Sequence, residues 1–235
     1  MIDIHSHLIF NVDDGSRSID ESIEIIKNLY NQGVTDMILT PHYITYSRYM
    51  SDVDSNKDIL KQLKSRLKEE NINMNLYLGN EIFMDEHIYD LLKDNKITSL
   101  NDTKYLLIEL PMSGDFNGYQ DVLYSLIIKG YKVILAHPER YYKFQKDFNK
   151  IYELEEIGVL FQSNYGSILG EYGPGAKKMM KRLMKEDKIT YFSTDIHHVR
   201  RHYNFIEKAK LKMKKFYEDN KIEDLTLNNA KELIK

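Results

Sequence analysis

A single-domain (β/α) barrel of seven strands, spanning residues 1–235, is the fold that this sequence predicts. Three observations carry that reading. Apolar strand-like runs and helix-periodic segments alternate from end to end, which implies a parallel sheet, either open or closed. The strand cores are nearly continuous apolar stretches, such as Tyr105 to Ile108 and Val133 to Ala136, as parallel strands covered on both faces require. Potential metal ligands end these runs at His42, Glu81, Glu109, His137 and Asp195, at intervals of 39, 28, 28 and 58 residues. Those intervals are one strand–helix unit each, and then two. An open doubly wound sheet gathers its site at one switch point, whereas a closed barrel gathers residues from every strand end at one mouth. Six of the seven strands end in such residues, and the barrel accounts for them all.

The first strand carries His5 and His7 two residues apart, so both imidazoles point to one face. A turn containing Asp13, Asp14 and Gly15 follows, and Ser18-x-x-Glu21 reads as a capping box. The helix it opens places Ile19, Ile23, Ile26 and Tyr30 on one stripe, and Gly33 closes it at C′. A strand is expected at about 34–40 and a helix at roughly 54–70, with Ile59, Leu60, Leu63 and Leu67 inward. Further strands are expected near 75–79, 105–110, 131–136, 159–163 and 189–194, with helical periodicity clearest at 119–129, 174–186 and 203–218. No linker, repeat or low-complexity tract divides the chain.

Composition excludes several chemistries. Cysteine is absent, which removes disulfides, thiolate-zinc sites and cysteine nucleophiles. A net charge of −3 supplies no general basic field for nucleic acid or membrane. The start lacks a signal-peptide layout, and no apolar run approaches the ~20 residues that span a bilayer, so a cytoplasmic protein is expected.

Six of the eight histidines, His5, His7, His42, His137, His197 and His198, fall at or just past strand ends. Glu81 and Glu109 end apolar strands, where a lone carboxylate is unfavourable unless paired or metal-bound. Asp195 and His197 repeat the alternate-residue spacing of His5 and His7. Asp14 lies in a motif that is also good turn chemistry. Imidazole and carboxylate without sulfur suit Mn, Fe or Zn. Nine plausible ligands exceed one ion's needs, whereas two or three ions sharing carboxylates would use them. Arg17, Arg140, Arg200 and Arg201 lie beside these motifs, and a guanidinium fork matches phosphate oxygens. The lysine-rich stretches 177–188 and 208–215 read as solvated outer helix faces, with a docking surface for an acidic partner or membrane as the alternative.

The motifs Asp3-Ile-His-Ser-His7, Asp13-Asp-Gly-Ser16, Thr40-Pro-His42, Gly79-Asn-Glu81, Ile108-Glu109, Ala136-His-Pro-Glu-Arg140 and Thr194-Asp-Ile-His197 together resemble the PHP (polymerase and histidinol phosphatase) superfamily. The Asp-Asp-Gly turn and His-Pro-Glu-Arg are similar to its bacterial manganese-dependent tyrosine-protein phosphatases of capsule and exopolysaccharide biosynthesis. That resemblance, covering residues 2 to about 202, implies a PHP-type barrel and three metals. His5, His7, Glu81 and Asp195 would hold one, Glu81, Glu109 and His137 a second, and Asp14, His42 and His197 a third. It implies phosphate binding by Arg17 and Arg140, and in-line attack of a metal-activated water on phosphorus. The leaving tyrosinate would take a proton from a water or from His198. The family has Asn and then, a few residues on, Arg after Asp-x-His; here His198 follows, and Arg200 and Arg201 come early. The implied substrate is the phosphotyrosine tail of a membrane-linked tyrosine kinase. A histidinol-phosphate phosphatase is the alternative enzyme, and an inert partner-binding PHP module the alternative of another class.

Overall fold

The computed structural model describes residues 1–112, 118–199 and 205–235. Within them, nine short strands alternate with helices: β1 (Ile2–Asp3), β2 (Asp36–Leu39), β3 (His42–Tyr43), β4 (Asn75–Leu78), β5 (Glu81–Phe83), β6 (Tyr105–Glu109), β7 (Lys132–Ala136), β8 (Leu160–Asn164) and β9 (Tyr191–Ser193). The helices are α1 (Ile19–Asn31), α2 (Val53–Glu69), α3 (Ile88–Lys93), α4 (Tyr119–Ile128), α5 (Tyr142–Lys146), α6 (Asn149–Glu156), α7 (Tyr165–Leu169), α8 (Gly173–Lys185), α9 (Phe205–Met213) and α10 (Asp219–Glu223). Every strand pair is parallel. One sheet has the order β1-β2-β4 and the other β3-β5-β6-β7-β8-β9. This is an α/β fold built on parallel sheets.

The expected strands lie within about two residues of the observed ones. Two further short strands, β3 and β5, lie beyond the expected ends at about 40 and 79 and were not expected. β2 and β3 flank Thr40-Pro41, where proline has no N–H for the ladder. β4 and β5 flank Gly79-Asn80, and a Cβ on Gly79 would come 2.6 Å from Leu100 Cδ2. Backbone bonds bridge both breaks, from Gly79 N–H to Leu39 O at 2.9 Å and from Glu81 N–H to Pro41 O at 3.2 Å. Beyond β1 and β9 the two chains meet: Ser6 and Ile196 form a parallel bridge, His7 N–H donates to Ile196 O, and Asp195 N–H donates to His5 O.

Strand residues alternate between two cores. Leu106, Ile108, Val133 and Leu135 face the helices in the larger one. Ile2, Ile38, Leu107, Ile134 and Tyr191, from both sheets, face a smaller one with Ala230 and Leu233 of the C-terminal segment. Apolar side chains on both faces explain why these strands read as continuous apolar runs.

The Ser18 side chain accepts from Glu21 N–H, as a capping box requires, but the Glu21 carboxylate reaches back to Arg17 N–H instead of the cap's own. The stripe expected through Tyr30 is corrected. The buried arc of α1 centres on Ser22, Ile26 and Leu29, because Ser22 Oγ donates to Leu8 O, and Tyr30 lies exposed at its margin. α9 ends at Met213, short of the expected 218, where a turn closed by Phe216 N–H on Met213 O takes over. The helices that periodicity did not resolve, α3, α5, α6, α7 and α10, have five to eight residues, too few turns for a pattern. No helix among the described residues is long and apolar enough to cross a membrane.

Candidate metal centre

The strands deliver their C-terminal ends to one place. His5 and His7 follow β1, His42 starts β3, Glu81 starts β5, Glu109 ends β6, His137 follows β7, and Asp195 and His197 follow β9. Asp14 comes from the turn after His7. That turn is tight: Ser16 N–H donates to His7 O, Gly15 N–H donates to Asp13 Oδ1, and any Cβ on Gly15 would overlap the His7 backbone. His137 and Asp195 adopt left-handed backbone (φ 34° and 51°), which turns each strand end sharply inward. Such conformations are uncommon outside glycine and concentrate at functional sites.

All nine expected ligands converge. Glu81 lies at the centre, with Oε2 3.3 Å from His5 Nε2, 3.3 Å from His7 Nε2 and 2.9 Å from His42 Nδ1, and with Oε1 2.9 Å from His137 Nε2. Asp195 Oδ1 is 3.4 Å from both His5 Nε2 and His7 Nε2. Glu109 sits 3.7 Å from His137 and 3.8 Å from His42. Asp14 Oδ1 is 3.5 Å from His42 Nε2 and 3.6 Å from His197 Nε2. Four overlapping groups could each hold an ion: His7-Asp14-His42-His197, His5-His7-Glu81, His5-His137-Asp195 and His42-Glu81-Glu109. The overlap is wider than the three sets expected, since His7 also faces Asp14 and His42 also faces Glu109.

Three buried atoms here, Glu81 Oε2, His42 Nδ1 and His137 Nδ1, make no hydrogen bond. Glu81 Oε2 and His42 Nδ1 approach each other without the alignment a hydrogen bond needs. Unpaired buried polar atoms are unfavourable, and a cation beside Glu81 Oε2 would satisfy that oxygen. The donor set fits Mn, Fe or Zn.

Residues not counted among the ligands orient the cluster, Asp13 and Glu139 within the quoted motifs and Gln162 and Asn164 outside them. Asp13 Oδ2 is 2.8 Å from His7 Nδ1, and Gln162 Oε1 is 2.8 Å from His5 Nδ1. Each holds its imidazole so that Nε2 faces the centre, the usual outer partner of a ligating histidine. Asn164, at the end of the one strand without an ionisable residue, donates to Asp195 Oδ2 at 2.6 Å. Glu139, fully buried, accepts from Ser163 Oγ, Asn164 N–H and Ser167 Oγ, which fixes the end of β8.

Arg140 donates from Nη1 to Asp195 Oδ2 at 3.0 Å, with its guanidinium 4.5 Å over the Tyr172 ring. Arg17 is exposed, at the same turn as Asp14. His198 lies outside the convergence, with Nδ1 3.2 Å from Glu21 and its ring 6.5 Å from that of His197. Arg200 and Arg201 lie outside the described residues.

Charges here are strongly coupled. Burial disfavours the His5 imidazolium, but Glu81 and Asp195 outweigh it and hold the group at about 9. Burial and the Glu81 charge push Glu109 up to about 8. Burial and Arg140 bring His137 down to about 4. The neighbouring histidines overcome burial and hold Asp195 well below the usual carboxylate range. With pKa values above 7, the ion-free cluster therefore carries protons at pH 7 on His5 and Glu109, and ligation must remove them. Metal loading should release protons, and affinity should rise with pH through about 8–9. Titration calorimetry with Mn²⁺ in buffers of different ionisation enthalpy measures this; heats independent of buffer would contradict it.

Comparison with known proteins places this geometry. The family described as capsular polysaccharide synthesis, CpsB/CapC, matches residues 1–235. A putative tyrosine-protein phosphatase CapC of Staphylococcus aureus is 34% identical over 200 residues, covering 85% of this chain and 78% of its own. A crystal structure from work on YwqE of Bacillus subtilis and CpsB of Streptococcus pneumoniae, described as unique metal-dependent tyrosine phosphatases, superposes with a TM-score of 0.85. It is 32% identical and covers 93% of this chain and 89% of that one. A histidinol phosphate phosphatase of Lactococcus lactis, with a TM-score of 0.60, 14% identity and coverage of 91% and 92%, shares the fold alone. The chain belongs to the CpsB/CapC family of capsular polysaccharide synthesis.

Proposed function

We propose that this chain is a metal-dependent protein-tyrosine phosphatase that regulates capsular or exopolysaccharide synthesis. The observation that carries the proposal is the convergence of nine His, Asp and Glu side chains, eight at the ends of six strands and Asp14 from a turn, with Glu81 at the centre. In this reading the whole chain is one domain and its strands close into a seven-stranded PHP-type barrel. The Ser6–Ile196 bridge and the small core shared by both sheets support that closure.

Two or three manganese ions would be held, one by His5, His7, Glu81 and Asp195, one by Glu81, Glu109 and His137, and one by Asp14, His42 and His197. When bound, the ions supply Lewis acidity and activate water at neutral pH. Asp13 and Gln162 keep His7 and His5 in the tautomer that presents Nε2. Arg140, already oriented by Asp195 and Tyr172, offers its remaining N–H groups to the phosphoryl oxygens as charge redistributes. Arg17, exposed just after the Asp13-Asp14-Gly15 turn, would bind the same phosphate. The proton for the leaving tyrosinate would come from a water or from His198, which is exposed beside Glu21. The substrate class is a phosphotyrosine protein, and the phosphorylated tail of a membrane-linked tyrosine kinase fits it, in the cytoplasm where such tails are modified.

The test sets a phosphotyrosine peptide against histidinol phosphate, with Mn²⁺ added and after chelation. Turnover of the peptide is expected with Mn²⁺, lost on chelation and indifferent to thiol-alkylating reagents, since the chain has no cysteine. Activity that survives exhaustive metal removal, or a preference for histidinol phosphate, would refute the proposal.

A further inference from the structure

The two lysine-rich stretches, 177–188 and 208–215, are remote in sequence but meet along one groove of about 400 Å³. Its floor is apolar: Ile168 of α7 and Met184 of α8 are buried, and Phe216, just beyond α9, is half-buried. Its walls are cationic, with Lys177, Lys181 and Lys185 on the α8 side and Lys212 and Lys215 on the other. Other lysines of these stretches are neutralised, Lys188 by Glu155 at 2.6 Å and Lys214 by Asp219 at 2.8 Å. The five around the groove have no acidic partner among the described residues. On a chain of net charge −3, this is a local concentration of unpaired positive charge over an apolar floor.

Two helices that line the groove begin at residues in contact with the metal-centre side chains. α7 begins directly after Asn164, which bonds Asp195, and Ile168 is one helical turn further on, roughly 6 Å at 1.5 Å per residue. α8 begins directly after Tyr172, which stacks under Arg140. From Lys177 to Lys185 the helix then runs about 12 Å away from that end.

We propose that this groove is a substrate-docking site that takes an acidic segment, with an apolar or aromatic residue, of the phosphotyrosine substrate. The proposal rests on the phosphatase reading and extends it by naming what the enzyme reads besides the phosphate. Unpaired lysines match Asp and Glu side chains, and charge complementarity of this kind sets specificity and encounter rate. The concave apolar floor suits an inserted side chain; a flat anionic membrane would need apolar groups that protrude from between the lysines.

The experiment compares the parent protein, loaded with Mn²⁺, with the double variant Lys181→Glu, Lys212→Glu and the control Lys181→Arg, Lys212→Arg. Substrates are an acidic phosphotyrosine peptide, the same peptide with Asp and Glu changed to Asn and Gln, and p-nitrophenyl phosphate. KM for the acidic peptide should rise about tenfold on charge reversal and weaken with added salt, given the modest worth of each exposed pair. The kcat values, p-nitrophenyl phosphate hydrolysis and the neutral peptide should not change, and the arginine variant should behave like the parent. A second readout, polarisation of a fluorescent unphosphorylated acidic peptide, needs no turnover and should show binding lost on reversal. If no phosphotyrosine peptide is hydrolysed yet the acidic peptide binds and reversal abolishes binding, the groove stands and the phosphatase reading falls. Equal KM and equal peptide binding in parent and reversed variant would overturn the groove. So would reversal that alters only co-sedimentation with phosphatidylglycerol vesicles, which would make the face a membrane contact.

Discussion

Glu81→Ala should abolish phosphotyrosine hydrolysis and lower bound metal by more than one equivalent, with the secondary structure retained. Glu81 is fully buried, and its two oxygens face four imidazoles, those of His5, His7, His42 and His137, at 2.9–3.3 Å. It is the carboxylate that meets imidazoles from the ends of β1, β3 and β7. Removing it takes a shared donor from two proposed sites at once and leaves the histidines without their central counter-charge. Loss of even an outer partner of a ligand weakens a metal site roughly 10–100-fold, so loss of a bridging ligand should exceed about a hundredfold in activity. Glu81→Gln keeps the shape and removes the charge, and it should bind metal poorly while melting cooperatively. Elemental analysis that found full metal content in either variant would sink the bridging role, and circular dichroism distinguishes that result from unfolding.

Arg140→Ala should lower kcat/KM for a phosphotyrosine peptide by about ten- to a hundredfold, with metal content unchanged. A charge-assisted contact is worth roughly 1.5–3 kcal/mol, and ~1.4 kcal/mol is tenfold. Asp195 and the Tyr172 ring hold the guanidinium in place before substrate arrives, so little ordering remains to be done. Lysine keeps the charge without the planar fork, and Arg140→Lys should recover part of the activity only. A parent-like rate in Arg140→Ala would return this residue to a structural role, as the partner of Asp195.

The ligands and their orienting residues differ in how they could be read. His42, Glu81, Glu109, His137 and Asp195 are legible because ionisable residues at the ends of apolar runs are chemically out of place, and because one strand–helix unit sets their spacing. Gln162 and Asn164 carry no such signal. They are neutral, they lie on a strand that reads as ordinary, and their part depends on which imidazole or carboxylate the fold brings to them. Asp13 could be read equally well as turn chemistry, and only its 2.8 Å approach to His7 makes it an orienting residue. The short strands β3 and β5, beyond Thr40-Pro41 and Gly79-Asn80, were not legible because two or three residues are too few to carry a pattern.

The family motifs, the parallel α/β character and the nine candidate ligands were determined by the sequence alone, because burial on both strand faces and metal chemistry each restrict which residue types can stand at a position. Only the tertiary structure decided which donors share a neighbour, which carboxylate lies at the centre, and that two distant lysine stretches line one groove. Those are distances between residues far apart in the chain, and they follow from how the elements pack rather than from the local pattern of any one of them.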